Sequence, residues 1–243
     1  MENLNNSDQT AAVPVAARND KGLSLRGFFE VFYKPGKFFE NLKNNPKIII
    51  PYILLLILSF IMMYLVLDVM LKIAMESDQL RDRLQGQPVP PQLEKIISIN
   101  VLAGGVLAII LTPLLAAALA IFFGNFVMAG KARFKQILSV MIYGELLYIV
   151  GGLISAVLIA VQGKFMSPFS LGVLAINQGI DSIAFIALSK IDLFNIWEII
   201  VVGIGLAAVY GFNRKKGYVL SVLSMGILSI LHIIFAAIGK LLG

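Results

Sequence analysis

Residues 48–71 read IIIPYILLLILSFIMMYLVLDVML, twenty-four positions of which only Asp68 is charged. At 1.5 Å rise per residue a helix of that length spans about 36 Å, enough to cross a hydrocarbon layer of about 30 Å. The run is apolar on every face, so no side of such a helix is made for water. Four further runs of the same character follow along the chain, at roughly 99–128, 136–161, 193–212 and 218–242. The expected fold is therefore an all-α integral membrane protein, a bundle of five transmembrane helices. Pro46 and Pro51 open the first run, and Pro113 lies within the second, where a missing backbone donor predicts a bend.

Composition agrees. Hydrophobic residues make up 58% of the 243 and charged residues 14%, where soluble domains average about 25% charged. Mean hydropathy is +0.88. The net charge of +6 sits in short clusters between apolar runs rather than on one solvated face, which argues against a nucleic-acid partner. The chain has no cysteine, so disulfides and thiolate metal sites are excluded.

Ahead of the first span, residues 1–23 are polar and aperiodic and read as a disordered cytoplasmic tail. They carry no apolar core for a cleaved leader, so the first apolar run is expected to act as the anchor. Residues 24–47 differ. Phe28, Phe29, Phe38 and Phe39 alternate there with Arg26, Lys34, Lys37, Lys43 and Lys47. Two short helices broken at Lys34–Pro35 would set aromatics against bases, as in a segment lying in the headgroup layer. Packing beneath the bundle is the other reading, and the two are compatible. These nine side chains are the candidate contacts to lipid or to a protein partner at the cytoplasmic face. Residues 48–243 form the membrane domain.

Residues 169–189 (FSLGVLAINQGIDSIAFIALS) are apolar enough to suggest a sixth span. Asn177, Gln178 and Asp181 interrupt their centre, and polar groups at membrane depth are costly. An amphipathic or re-entrant segment on the outer side is expected instead.

Thirteen of the 20 Lys and Arg fall on the side of the N-terminus, counting alternate loops. Basic residues mark the cytoplasmic face, so the topology is expected to be N-in/C-out in the cell (cytoplasmic) membrane. The loops at Lys131–Lys135 and Arg214–Lys216 contain no acid, which sharpens the assignment. Gly203, Ala207 and Gly211 recur every fourth residue and are candidate helix-packing positions, since small side chains let backbones approach closely in lipid. Such faces also allow a homo-oligomer.

Catalytic patterns are missing. One histidine and no cysteine leave no HExxH or CxxC metal motif, and no phosphate-binding GxxxxGK[ST] loop occurs. Gly203-Ile-Gly205-Leu-Ala-Ala resembles a dinucleotide fingerprint but lies inside an apolar span, without the strand that motif needs. No catalytic, cofactor or metal site is expected, and the chain reads as a non-enzyme. What remains is a candidate intramembrane polar site. Ionisable residues at depth are functional by default, and here they are Glu145, Glu198 and His232. With the last hairpin centred near Lys215, Glu198 and His232 are expected at similar depth in the outer third of the membrane.

Several stretches carry a resemblance. They are Tyr33-Lys-Pro-Gly-Lys-Phe-Phe-Glu-Asn-Leu before Pro46, the basic loop followed by Phe134 and Tyr143, Ile191-Asp-Leu-Phe-Asn-Ile-Trp-Glu leading to Gly203-Ile-Gly205-Leu, and Arg214-Lys-Lys before the last span. Over roughly residues 30–240 the chain resembles the Yip1 family, particularly its prokaryotic members. The resemblance implies five spans with a cytoplasmic N-terminus and an outside C-terminus. Eukaryotic members are associated with Rab-type GTPases; this sequence lacks their Asp-Leu-Tyr-Gly-Pro signature and has Leu147 where a proline often stands. A non-enzymatic membrane scaffold binding lipid or protein partners is the leading expectation. A small proton-coupled transporter or channel with a polar path through the bundle is the alternative.

Overall fold

The computed structural model describes residues 25–76, 78–85, 87–163 and 167–242. The tail expected over 1–23 lies outside them. Among the described residues the structure is helical, and one isolated antiparallel bridge, Ser170 with Asp192, is its sole extended pairing. The helices are α1 (Leu25–Tyr33), α2 (Pro35–Leu42), α3 (Ile49–Met75), α4 (Asp78–Leu84) and α5 (Pro91–Ile121). They continue as α6 (Phe134–Gln162), α7 (Ile183–Ser189), α8 (Leu193–Tyr210) and α9 (Arg214–Leu242). Five of them, α3, α5, α6, α8 and α9, are long and apolar enough to cross a membrane. The protein is a multipass membrane protein.

Helix limits follow local chemistry. Pro35 and Pro91 occupy first-turn positions, where a missing N–H costs nothing. Because Pro91 can open a helix, α5 starts well before the apolar run read from residue 99. At the start of α6 the Arg133 amide donates to Gln136 Oε1 at 2.9 Å, and the Gln136 amide side chain donates on to the Lys43 carbonyl at 2.8 Å. Gly163 ends α6 and Gly211 ends α8, each with positive φ, the left-handed conformation that glycine adopts without strain. Helix α5 runs through Pro113 and passes into a π-helix, Phe122–Val127. One turn before the proline, Tyr52 Oη donates to the Ile110 carbonyl at 2.6 Å, tying α5 to α3.

Residues 169–189 hold a 3-10 helix, Leu171–Gln178, followed by α7; the two pack on each other, and α7 packs on α9. Neither is long enough to span. The bridge brings this hairpin back to the start of α8, where Asp192 Oδ1 accepts from the Phe194 amide at 2.8 Å and the Asn195 amide at 3.4 Å. Asp192→Ala is expected to cost about 1 kcal/mol, the usual value of an N-cap, and to speed hydrogen exchange at Phe194 and Asn195. Thermal unfolding in detergent together with amide exchange would measure it.

Helix α6 is the axis of the bundle and packs against α3, α5 and α8; α9 closes the ring against α8 and α5. The densest core lies at the end bearing Lys47, Arg133 and Arg214, called the basic end below. Ile137, Val140, Met141, Leu206 and Leu220 are buried there, together with Val31, Phe38 and Phe39 from the two leading helices. Helix α2 docks on α8, and the Phe39 ring fills the space left by Gly205. Aromatics expected in the headgroup layer are thus divided: Phe38 and Phe39 are spent in the core, whereas Phe29 and Tyr33 are 57% and 58% exposed.

Candidate functional site

Above the packed basic end the bundle opens into a cavity of about 370 Å³ between α5, α6, α8 and α9. Glu145, Glu198 and His232 all line it, together with Tyr148, Lys190 and Asn195. Helix register explains the meeting of the first two. Helices α6 and α8 run antiparallel, with Gly151 against the Phe194 ring and Gly144 against Val202. A Cβ on Gly144 would stand 3.5 Å from Glu198 Cγ and 3.6 Å from Glu198 Oε1. The glycine therefore lets Val202 seat closely against α6, and that approach sets Glu198 beside the residue next to Glu145. Along their own axes, Glu145 lies about 17 Å from the start of α6 and Glu198 about 18 Å from the end of α8, both measured from the basic end.

His232 is not level with them. Gly203 packs on Tyr218, Gly217 packs on Gly203 and Ala207, and Ser221 Oγ donates to the Ile199 carbonyl at 2.8 Å. That register puts Glu198 beside residues 222–225 of α9. His232 lies about 10 Å or more farther toward the opposite end, exposed at the cavity rim near Lys190. The expectation of equal depth for Glu198 and His232 is corrected here. Its physical cause is the turn: the chain reverses at Gly211, with φ of 70°, and Arg214–Lys216 already belong to α9. Moving a hairpin's centre by one residue moves its pairing by two.

Glu198 is 3% exposed, Glu145 half-buried, and neither carboxylate has a hydrogen-bond or ion-pair partner among the described residues. They face the cavity instead of a protein donor, and so does the Lys190 side chain across from them. Burial holds the Lys190 ammonium below its ordinary range. The arrangement is a floor of two carboxyl groups with a lysine at the rim. Tyr148, Asn195 and Ser229 share the cavity but were not singled out in the sequence. Each stands three residues from a residue that was, Glu145, Glu198 or His232, and hence on the same helix face. Lys190 had no such signal, because it is placed by the turn between α7 and α8.

The packing positions also sort themselves. Gly203 and Ala207 meet α9 directly, whereas Gly211 has open space where a Cβ would go and serves as the helix end. In the leading segment Lys34 and Lys37 are exposed, and Lys34 Nζ sits 5.6 Å from the Tyr33 ring centre. Lys43 and Lys47 are half-buried, and the Lys47 carbonyl accepts from Ser139 Oγ at 2.7 Å. The Arg26 and Phe28 side chains lie outside the described residues.

Compared with known families, the chain matches the Yip1 domain over residues 29–238. No curated protein and no solved structure matches it.

Proposed function

The chain belongs to the Yip1 domain family, and from that membership we propose a non-enzymatic scaffold or organising protein of the cell (cytoplasmic) membrane, of the family's prokaryotic kind. In this reading the topology is N-in/C-out, the basic end is cytoplasmic, and the leading helices present lipid- or partner-binding side chains there. One observation carries it. Helix α2 is anchored in the core by Phe38 and Phe39 while Phe29, Tyr33, Lys34 and Lys37 stay exposed beside it. An aromatic–basic surface held rigidly at a membrane boundary suits anionic headgroups or an acidic partner surface.

Each basic side chain near an anionic leaflet is worth about 1 kcal/mol. Replacing Lys34, Lys37, Lys43 and Lys47 together by Gln in the full chain should therefore cut enrichment of anionic lipid around the protein at least several-fold. Energy transfer from the protein to a labelled anionic lipid in vesicles reads this directly. Unchanged enrichment, with unchanged partner co-purification, would sink the proposal.

The convergence of Glu145, Glu198 and His232 on one cavity favours a second reading, a small proton-coupled transporter or channel. Against a continuous path stand Ile137, Val140, Leu206 and Leu220, buried toward the basic end of the bundle. Ion flux in proteoliposomes separates the two readings.

A further inference from the structure

A second cavity, of about 260 Å³, adjoins the first between α3, α6 and the 169–189 hairpin. Its walls are chiefly apolar, with Met62, Met63, Val66 and Met70 from α3 facing Ala156 and Ile159 from α6. Tyr148 and Ser189 line both cavities, so the two share a wall. Methionines make an adaptable surface for an aliphatic chain. One compartment is thus lined by ionisable groups and its neighbour is greasy, at the same end of the bundle.

The compartment lined by ionisable groups narrows the chemistry further. Two carboxylates without protein partners call for a donor-rich cation, and a primary ammonium offers three N–H groups to share between them. A quaternary ammonium has no such donors and is held by aromatic cages, whereas Tyr148 is the one aromatic lining this cavity among the described residues. Lys190 at the rim, with the Asn195 amide below it, supplies positive charge and donors for an anion a short distance from the cation site. The volume of about 370 Å³ lies in the range of small-ligand sites.

We propose that the two cavities together bind one phospholipid with a primary-amine headgroup, of the phosphatidylethanolamine type. Its ammonium sits between Glu145 and Glu198, its phosphate on Lys190 and Asn195, and one acyl chain along Met62, Met63, Val66 and Met70. This site is intramembrane, separate from Lys34 and Lys37, and is independent of the scaffold reading.

The test is lipid retention by the full-length protein, purified in mild detergent and offered equal amounts of phosphatidylethanolamine, phosphatidylcholine and phosphatidylglycerol with identical chains. Native mass spectrometry counts what stays bound. The expected result is retention of the ethanolamine lipid at least about tenfold over the other two, since leaving a buried charge unpaired is costly. The E145Q/E198Q variant should lose that preference while still holding some lipid through the chain site. Equal retention of all three lipids by the unaltered protein overturns the proposal, and that comparison stands even if the variant does not fold. A preference that survives E145Q/E198Q overturns it as well. Displacement of the lipid by equimolar soluble phosphoethanolamine overturns the acyl-chain part.

Discussion

Phe39→Ala is expected to release α2 from the bundle at a cost of about 3 kcal/mol, the lower part of the range for buried phenylalanine, while the five spans stay folded. Phe39 is fully buried, meets Phe38 edge-on at 5.2 Å and fills the hollow at Gly205, and Phe38 in turn contacts the Tyr143 ring at 4.7 Å. Helix α2 has only eight residues, too few to persist alone in water. Its order therefore comes from docking. Hydrogen exchange should rise sharply over residues 35–42 and barely change in α6 or α8. Phe29→Ala, at an exposed position on α1, should leave exchange over α2 as it was. Uniform loosening of all five spans by F39A would show that α2 is an integral brace of the bundle instead of a docked arm.

Gly217→Val is expected to part α8 from α9 and to destabilise the protein by about 3 kcal/mol, the upper end of the overpacking range. A Cβ at position 217 would run into the Gly203 carbonyl and come within 2.7 Å of the Ala207 methyl. The obstacle is the backbone of the neighbouring helix, which cannot swing aside as a side chain would. In lipid no hydrophobic drive holds two spans together, so close van der Waals contact carries most of their association. Losing it should lower the unfolding midpoint in detergent and change the α8–α9 register on which the cavity depends. Gly226→Ala on the same helix is the control, because nothing lies within 4 Å of its would-be Cβ. Equal stability of G217V and G226A would show that the close approach contributes little.

Much of the architecture was legible because membrane insertion is decided by local quantities. Residues 48–71 need no tertiary partner to declare themselves a span, since length and apolar content alone set the transfer into lipid. The same reasoning kept 169–189 out of the count of spans, and its 3-10 helix and α7 are indeed each too short to cross. Glu145, Glu198 and His232 stood out for the complementary reason, the cost of an ionisable group at depth. Their mutual placement was a different matter. The limits of the last two apolar runs centre the hairpin near Lys215, yet Gly211 makes the turn, and that change in the hairpin's centre moves His232 to the rim.

The sequence by itself determined which segments are apolar helices of spanning length and which polar residues are too costly at depth to be incidental. These follow from solvation and backbone conformation, which each residue carries with it. Only the tertiary structure decided that Phe38 and Phe39 belong to the core, that Val202 seats on Gly144 and so sets Glu198 beside Glu145, and that Lys190 lines the same cavity. Those outcomes depend on rotation and register between helices. In a uniformly apolar bundle, hydrophobicity specifies neither, and the interlock of small residues with large ones does.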